Sequence, residues 1–201
     1  MSEPSKKDHN LLATPYPDHE NFRSDYSVVL DHPLSATFPV LAHGDQIERM
    51  VRLSDLCSGF DLFDSDKVVT PGAAPLAESR LRTEPPATDT TAPGPDVLPR
   101  QYFRLQETIP LLFGLAKTKV EITGSQTWDD NTKTALYETV TDHGIVVWKL
   151  RQFKEIEEDG RKKTSVIETI KGTCPGWMKL IVQREVTKGH SAHMEKYITL
   201  F

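Results

Sequence analysis

Three strand-like segments repeat one arrangement, a glutamate with an aliphatic residue two positions away on each side: Leu105-Gln106-Glu107-Thr108-Ile109, Leu136-Tyr137-Glu138-Thr139-Val140 and Val166-Ile167-Glu168-Thr169-Ile170. Residues two apart on a strand share a face, so the aliphatic pairs predict that each glutamate points inward. A carboxylate in such surroundings loses hydration in its charged form, its pKa rises, and it becomes a usable general acid or base near neutrality. Glu138 and Glu168 are the expected catalytic carboxylates, since their segments read as central strands. A shift of one residue in register would turn Tyr137 and Ile167 inward instead. His193, three residues after His190, is a third candidate for proton transfer. No third ligand accompanies that histidine pair, so no metal is expected.

Ligand-orienting side chains are sought by the same alternation. Val146, Trp148, Leu150 and Gln152 form one candidate inward set, and Val120, Ile122, Gln126 and Trp128 another. Aromatic and amide groups on a cavity wall hold a ligand by stacking and one or two hydrogen bonds. Tyr102 and Tyr137 add phenolic donors for a ligand carbonyl, and Met178 an adaptable apolar surface. Core packing is the competing explanation for Trp128 and Trp148.

These side chains need a scaffold, and its elements are readable in order. Residues 1–25 are polar, carry Pro4, Pro15 and Pro17, and predict a mobile tail able to dock through Leu11, Leu12 and Tyr16. The domain proper is expected over 26–201. A strand runs over Tyr26–Ser35, bent at Pro33. Helical spacing over Pro39–Leu56 is broken at Gly44-Asp45, which predicts two short helices, with Asp45 and Glu48 as a capping box for the second. Val68-Val69-Thr70 reads as a short strand. Seven prolines then crowd residues 71–99 and predict a disordered insertion, because threonine, proline and small residues offer little apolar area to offset ordering entropy. Segments Gln101–Ile109, Thr118–Trp128, Thr134–Asp142, Ile145–Ile156 and Lys163–Cys174 read as an antiparallel meander. A long amphipathic helix begins after Pro175 and runs towards Tyr197.

Composition narrows the field. The chain has 201 residues and a formal net charge of −5, which argues against broad binding to nucleic-acid phosphates. No run of about 18 apolar residues marks a transmembrane segment, and the start lacks the apolar core of a secretory signal. Cys57 and Cys174 are too few for a disulfide framework, which fits free thiols in the cytoplasm. No phosphate-cradling glycine loop, GxSxG or HExxH is present, so no cofactor is expected.

The sheet's apolar face has no partner except the last helix, so the two must pack together, and a curved sheet around a helix leaves room for a greasy ligand. That order of elements resembles the START-like (SRPBCC) superfamily, and more narrowly its small members in filamentous fungi. The resemblance is carried by Glu107-Thr108-Ile109-Pro110-Leu111-Leu112-Phe113-Gly114, Thr123-Gly124-Ser125-Gln126-Thr127-Trp128-Asp129 and Cys174-Pro175-Gly176-Trp177-Met178-Lys179-Leu180-Ile181-Val182-Gln183-Arg184-Glu185. It covers Ser27 to Tyr197 apart from the proline window, and rests on element order more than on any motif. It implies an α+β helix-grip fold, a curved antiparallel sheet wrapped around a long C-terminal helix with two short helices after the first strand. It further implies a hydrophobic small-molecule partner and a cofactor-free cyclase or isomerase of secondary metabolism, including pericyclic closures of the Diels–Alder type. The alternative is a non-catalytic carrier of a lipid, sterol or other small hydrophobe. The superfamily shares no catalytic signature, so no residue role carries over.

Overall fold

The computed structural model describes residues 1–88, 96–111 and 116–201. Seven strands form one antiparallel sheet in the order β1-β7-β6-β5-β4-β3-β2. They are β1 (Phe22–Leu30), β2 (Cys57–Val69), β3 (Val97–Leu111), β4 (Ala116–Asp129), β5 (Thr134–Thr141), β6 (Val146–Glu158) and β7 (Arg161–Thr173). From β2 to β7 each strand pairs with its neighbour in sequence, as the meander predicts, and β1 closes the far edge on β7. Strands of 13 to 15 residues, such as β2, β3 and β6, accumulate twist and curl the sheet.

Helices α2 (Leu34–Ala42) and α3 (Ile47–Val51) lie between β1 and β2, separated by a 3-10 turn at Gly44–Gln46. The two-helix expectation holds there, but its capping box does not form. Gln46 occupies the N-cap of α3, without a side-chain cap bond. The long helix α4 (Lys179–Glu195) follows Pro175 and a 3-10 turn at Gly176–Met178. It buries Val182, His190 and Met194 against the sheet, and the chain ends in a further 3-10 turn that buries Tyr197. This is the α+β helix-grip architecture.

Register sorts every strand residue onto one of two faces. Tyr26, Glu168, Arg151 and Ala135 are successive partners across β1, β7, β6 and β5, and all turn to the concave side with α4. Thr169, Leu150 and Leu136 form the neighbouring row on the convex side. The concave core unites Leu30, Phe38, Leu41, Met50, Val166, Met194 and Tyr197.

The convex face carries a second core. Val68, Leu98, Leu136, Trp148 and Leu150 pack there against Leu76 and Leu81, which come from the proline-rich segment. Residues 71–88 are therefore an ordered cover rather than the expected insertion, and residues 89–95 of that window lie outside the described residues. Backbone bonding supplies what the side chains cannot. Arg100 donates to the carbonyls of Leu81 and Glu84 (3.0 Å to the latter), and Trp148 Nε1 donates to Ser79 O at 3.0 Å. Proline also lowers the entropy lost on ordering.

The amino-terminal stretch joins this cover. Helix α1 (Lys6–Leu12) has a Ser5–Asp8 capping box and buries Asp8 and Leu12. Arg82 fastens it by donating to the carbonyls of Leu11 (3.0 Å), Leu12 (2.5 Å) and Thr14 (2.6 Å). The expected short strand at Val68–Thr70 is the end of the much longer β2, hidden in sequence because Asp61, Asp64, Ser65 and Asp66 lack strand propensity.

Candidate functional site

Between α3 and α4 the concave face is not fully closed. The principal packing of α4 is along β1 at the sheet edge, and Ile122, Tyr137, Val147, Lys149 and Ile170 on the inner strands stay half-buried. Leu53, just after α3, and Cys57 of β2 border this groove on one side, while Met178 of the preceding 3-10 turn and Val186 and His193 of α4 border it on the other. Two recesses lie elsewhere: one of about 40 Å³ around Tyr16, Arg80 and Trp148, and an open one of about 700 Å³ around Asp66, Pro99, Gln101 and Trp128.

The groove floor is charged. Glu168, 0% exposed, accepts from Arg151 Nε and from the Tyr197 hydroxyl, the latter at 2.5 Å. His190 Nε2 stands 3.3 Å from its second oxygen and Lys149 Nζ 3.9 Å. Burial opposes ionisation of Glu168, but Arg151 and then Lys149 outweigh it and hold the carboxyl well below the usual carboxylate range. Arg151 also donates to the carbonyl of Leu41 and to Met50 Sδ, tying β6 to α2 and α3.

Three polar groups face the groove beside that pair. Lys149 lies 4.4 Å over the Tyr137 ring. Burial, offset in part by Glu168, pushes its amine down to about 8. Burial holds the Tyr137 phenol well above its ordinary value, and the nearby Glu107 charge adds to the effect. Burial likewise raises the Glu107 carboxyl, against a 3.5 Å bond from Ser54. An amine, a phenol and a carboxyl thus share one partly apolar wall.

The predicted residues divide between the faces. Glu168, Tyr137, His193, Gln126, Trp128 and Met178 lie on the concave side, though not all are free for a ligand. His193 Nε2 donates to the carbonyl of Met50 at 2.9 Å and clamps α4 to α3; burial, with Lys149 nearby, lowers its pKa to about 4. Gln126 Nε2 donates to Ala42 O at 2.7 Å, and Trp128 stacks on His43 with centroids 5.6 Å apart. Met178 packs against the core of Phe22, Cys174 and Val182.

Glu138, Tyr102, Trp148 and Gln152 lie on the convex side, contrary to the inward placement expected for Glu138, Trp148 and Gln152. Glu138, also 0% exposed, accepts from the backbone N–H groups of Leu81 and Arg82, at 3.0 and 2.9 Å, and from the Tyr16 hydroxyl at 2.5 Å. It latches the cover to the sheet. Burial raises its carboxyl, only partly countered by these bonds. Tyr102 lies beneath Arg100 at 4.7 Å, and Trp148 sits between Arg80 (4.7 Å) and Lys171 (4.4 Å). Gln152 is exposed. The physical reason is the cover itself: it buries the convex face, so apolar alternation marks both faces alike.

Lys149 and Arg151 are functional-looking residues that the alternation missed. Two cations two residues apart on a strand ordinarily mark a solvated face. The available signal was their interleaving with Val147 and Phe153, which is the true inward set of β6. Among the described residues, no group of three or more His, Cys, Asp or Glu side chains is placed to hold a metal ion, and no helix is long and apolar enough to cross a membrane.

No protein-family model matches the chain, and no curated protein matches it in sequence. Solved structures do match. An aromatase/cyclase, Zhui, from Streptomyces sp. R1128 aligns with a TM-score of 0.58 at 9% identity, over 90% of this chain and 93% of its own. The Thermus thermophilus protein TTHA0849 aligns with a TM-score of 0.51 at 10% identity, over 89% of this chain and 95% of its own. At such identities the likeness establishes the fold, and the helix-grip class is the conclusion it shares with the sheet topology.

Proposed function

We propose that this chain is a START-like (SRPBCC) protein that binds a hydrophobic polyketide or terpenoid intermediate in the concave groove and templates its ring closure, acting without a cofactor in a fungal natural-product pathway. The observation that carries this reading is that Tyr137, Lys149 and Glu107 lie half-buried on the concave face, beside apolar side chains and the Arg151–Glu168 pair. The likeness to an aromatase/cyclase supports it at the level of fold.

Templating needs little chemistry from the protein. Holding a flexible chain in a reactive conformer offsets several kcal/mol of the barrier, roughly 7 or more in favourable cases. The Tyr137 hydroxyl then donates to a substrate carbonyl as charge develops on its oxygen, and Glu107, kept protonated to higher pH than a solvated carboxyl, supplies or receives a proton. A pericyclic closure requires only the first of these. The Arg151–Glu168 pair holds the floor rigid rather than reacting, because Arg151 is bonded to Glu168, Leu41 and Tyr197 and its charge holds the carboxylate ionised.

The test is incubation with linear, carbonyl-bearing polyketide and polyene precursors, followed by chromatographic detection of cyclised product. Conversion that falls about tenfold or more in Tyr137→Phe or Glu107→Gln, with the fold retained, supports the reading. Saturable binding with no conversion replaces it with the carrier. Absence of binding overturns both.

A further inference from the structure

Lys149 differs from the ion-paired lysines of the surface. Lys7, Lys162 and Lys163 are ion-paired at 2.6 to 3.0 Å, and their carboxylate partners raise their pKa. Lys149 is buried to 12% side-chain exposure, and its one carboxylate neighbour, Glu168 Oε2, is 3.9 Å away, outside hydrogen-bonding distance. Arg151 and Tyr197 bind the other oxygen of that carboxylate, Oε1, which anchors Glu168 at its position across the ladder. The amine therefore sits over the Tyr137 ring, in a groove wide enough to keep it partly exposed, with no committed acceptor among the described residues.

We infer that Lys149 captures a carbonyl group, forming an imine with an aldehyde or ketone carried by the hydrophobic ligand. The inference rests on the groove being the ligand site. The Nζ lone pair adds to the carbonyl carbon, and the C=O π pair becomes the hydroxyl of a carbinolamine as one amine proton moves to oxygen. A second proton, taken from water reaching the partly exposed amine, lets that hydroxyl leave as water. The nitrogen returns its remaining proton to water as the neutral imine forms. Nothing is oxidised or reduced, and one water is released.

The surroundings favour that chemistry. Burial and the Arg151 charge two residues along β6 disfavour the ammonium, while Glu168 on β7 and Glu107 on β3 favour it. His193 from α4 is neutral above about pH 4 and adds no positive charge. The balance leaves the amine near 8, so a substantial fraction is nucleophilic where a solvated lysine is almost wholly protonated.

The experiment is reductive trapping of the full chain with decanal and cyanoborohydride at pH 8, followed by peptide mapping. Lys149 is expected to gain the probe's mass less one oxygen, at a yield about tenfold or more above Lys162 and Lys163 in the same digest. Lys149→Arg should lose that label; should the variant not fold, the lysine-by-lysine ratio in the native protein decides the matter alone. Binding is read separately, by displacement of a fluorescent hydrophobe with unreactive decanol. Displacement with Lys149 labelled no more than the surface lysines overturns the imine and leaves the groove reading standing. Failure of decanol to displace the dye overturns the groove reading itself.

Discussion

Two glutamates, Glu138 and Glu168, are equally buried and sit on opposite faces of one sheet, and they do opposite things. On the convex face Glu138 is bound by two backbone amides and a phenol, and it fastens a covering segment made largely of backbone. On the concave face Glu168 is bound by a guanidinium and a second phenol, beside a lysine left without a hydrogen-bonding acceptor. The first environment raises a carboxyl and the second lowers one. Burial alone therefore says little about chemistry; what matters is whether the partners are spent on closing the structure or leave a reactive group over. The convex face is closed, and the concave face keeps Lys149, Tyr137 and Glu107 in reserve.

The largest effect should come from breaking the concave pair. Glu168→Gln strands the Arg151 guanidinium, and the loss should be about 3–5 kcal/mol in urea unfolding. Adding Arg151→Met should recover part of it, since a removed pair costs less than a broken one. Because the folded carboxyl is held below the unfolded value of 4.5, its contribution is present above that pH and lost as pH falls. Glu138→Gln should cost less, about 1–3 kcal/mol, by leaving a backbone donor short of an acceptor. Hydrogen exchange should quicken over residues 71–88, with conversion or dye binding in the groove unchanged. Loss of groove function from that substitution would break the division between the faces.

His193 yields a pH signature. Its folded pKa near 4 lies below its ordinary 6.5, so the unfolded chain binds more protons between those values and stability should fall as pH drops through that window. Unfolding measured at stepped pH should show this slope flattened in His193→Gln. The smallest effect belongs to Gln152→Ala, expected within about 0.5 kcal/mol in stability and neutral in the groove, because that side chain is exposed on the outer face.

How much was legible in sequence follows the same division. β3 to β7 and α4 stood out because β-branched runs, turn residues and a helical stripe agree with the final packing. Glu107 and Glu168 lie on the concave side, as their flanking aliphatics predict: Leu105 packs with Ile47 and Val51 of α3, and Val166 with Met194 of α4. Glu138 was misplaced because β5 is buried along nearly its whole length, so period-two alternation carries no direction. The cover is invisible for a related reason: residues 71–88 are ordered by Arg100 on β3, by Glu138 on β5 and by the bonds of Arg82 to the amino-terminal stretch, which no local pattern records. Lys149 and Arg151 look like surface residues until Glu168 is seen across the ladder from Arg151.

The claim that the concave groove, not the covered convex face, takes the ligand is tested most directly by titrating a fluorescent hydrophobe against paired tryptophan substitutions. Val147→Trp fills the groove and should weaken binding about tenfold or more, while Gln152→Trp on the opposite face should leave it unchanged. Equal affinities for the two variants, or loss only in Gln152→Trp, would contradict the account.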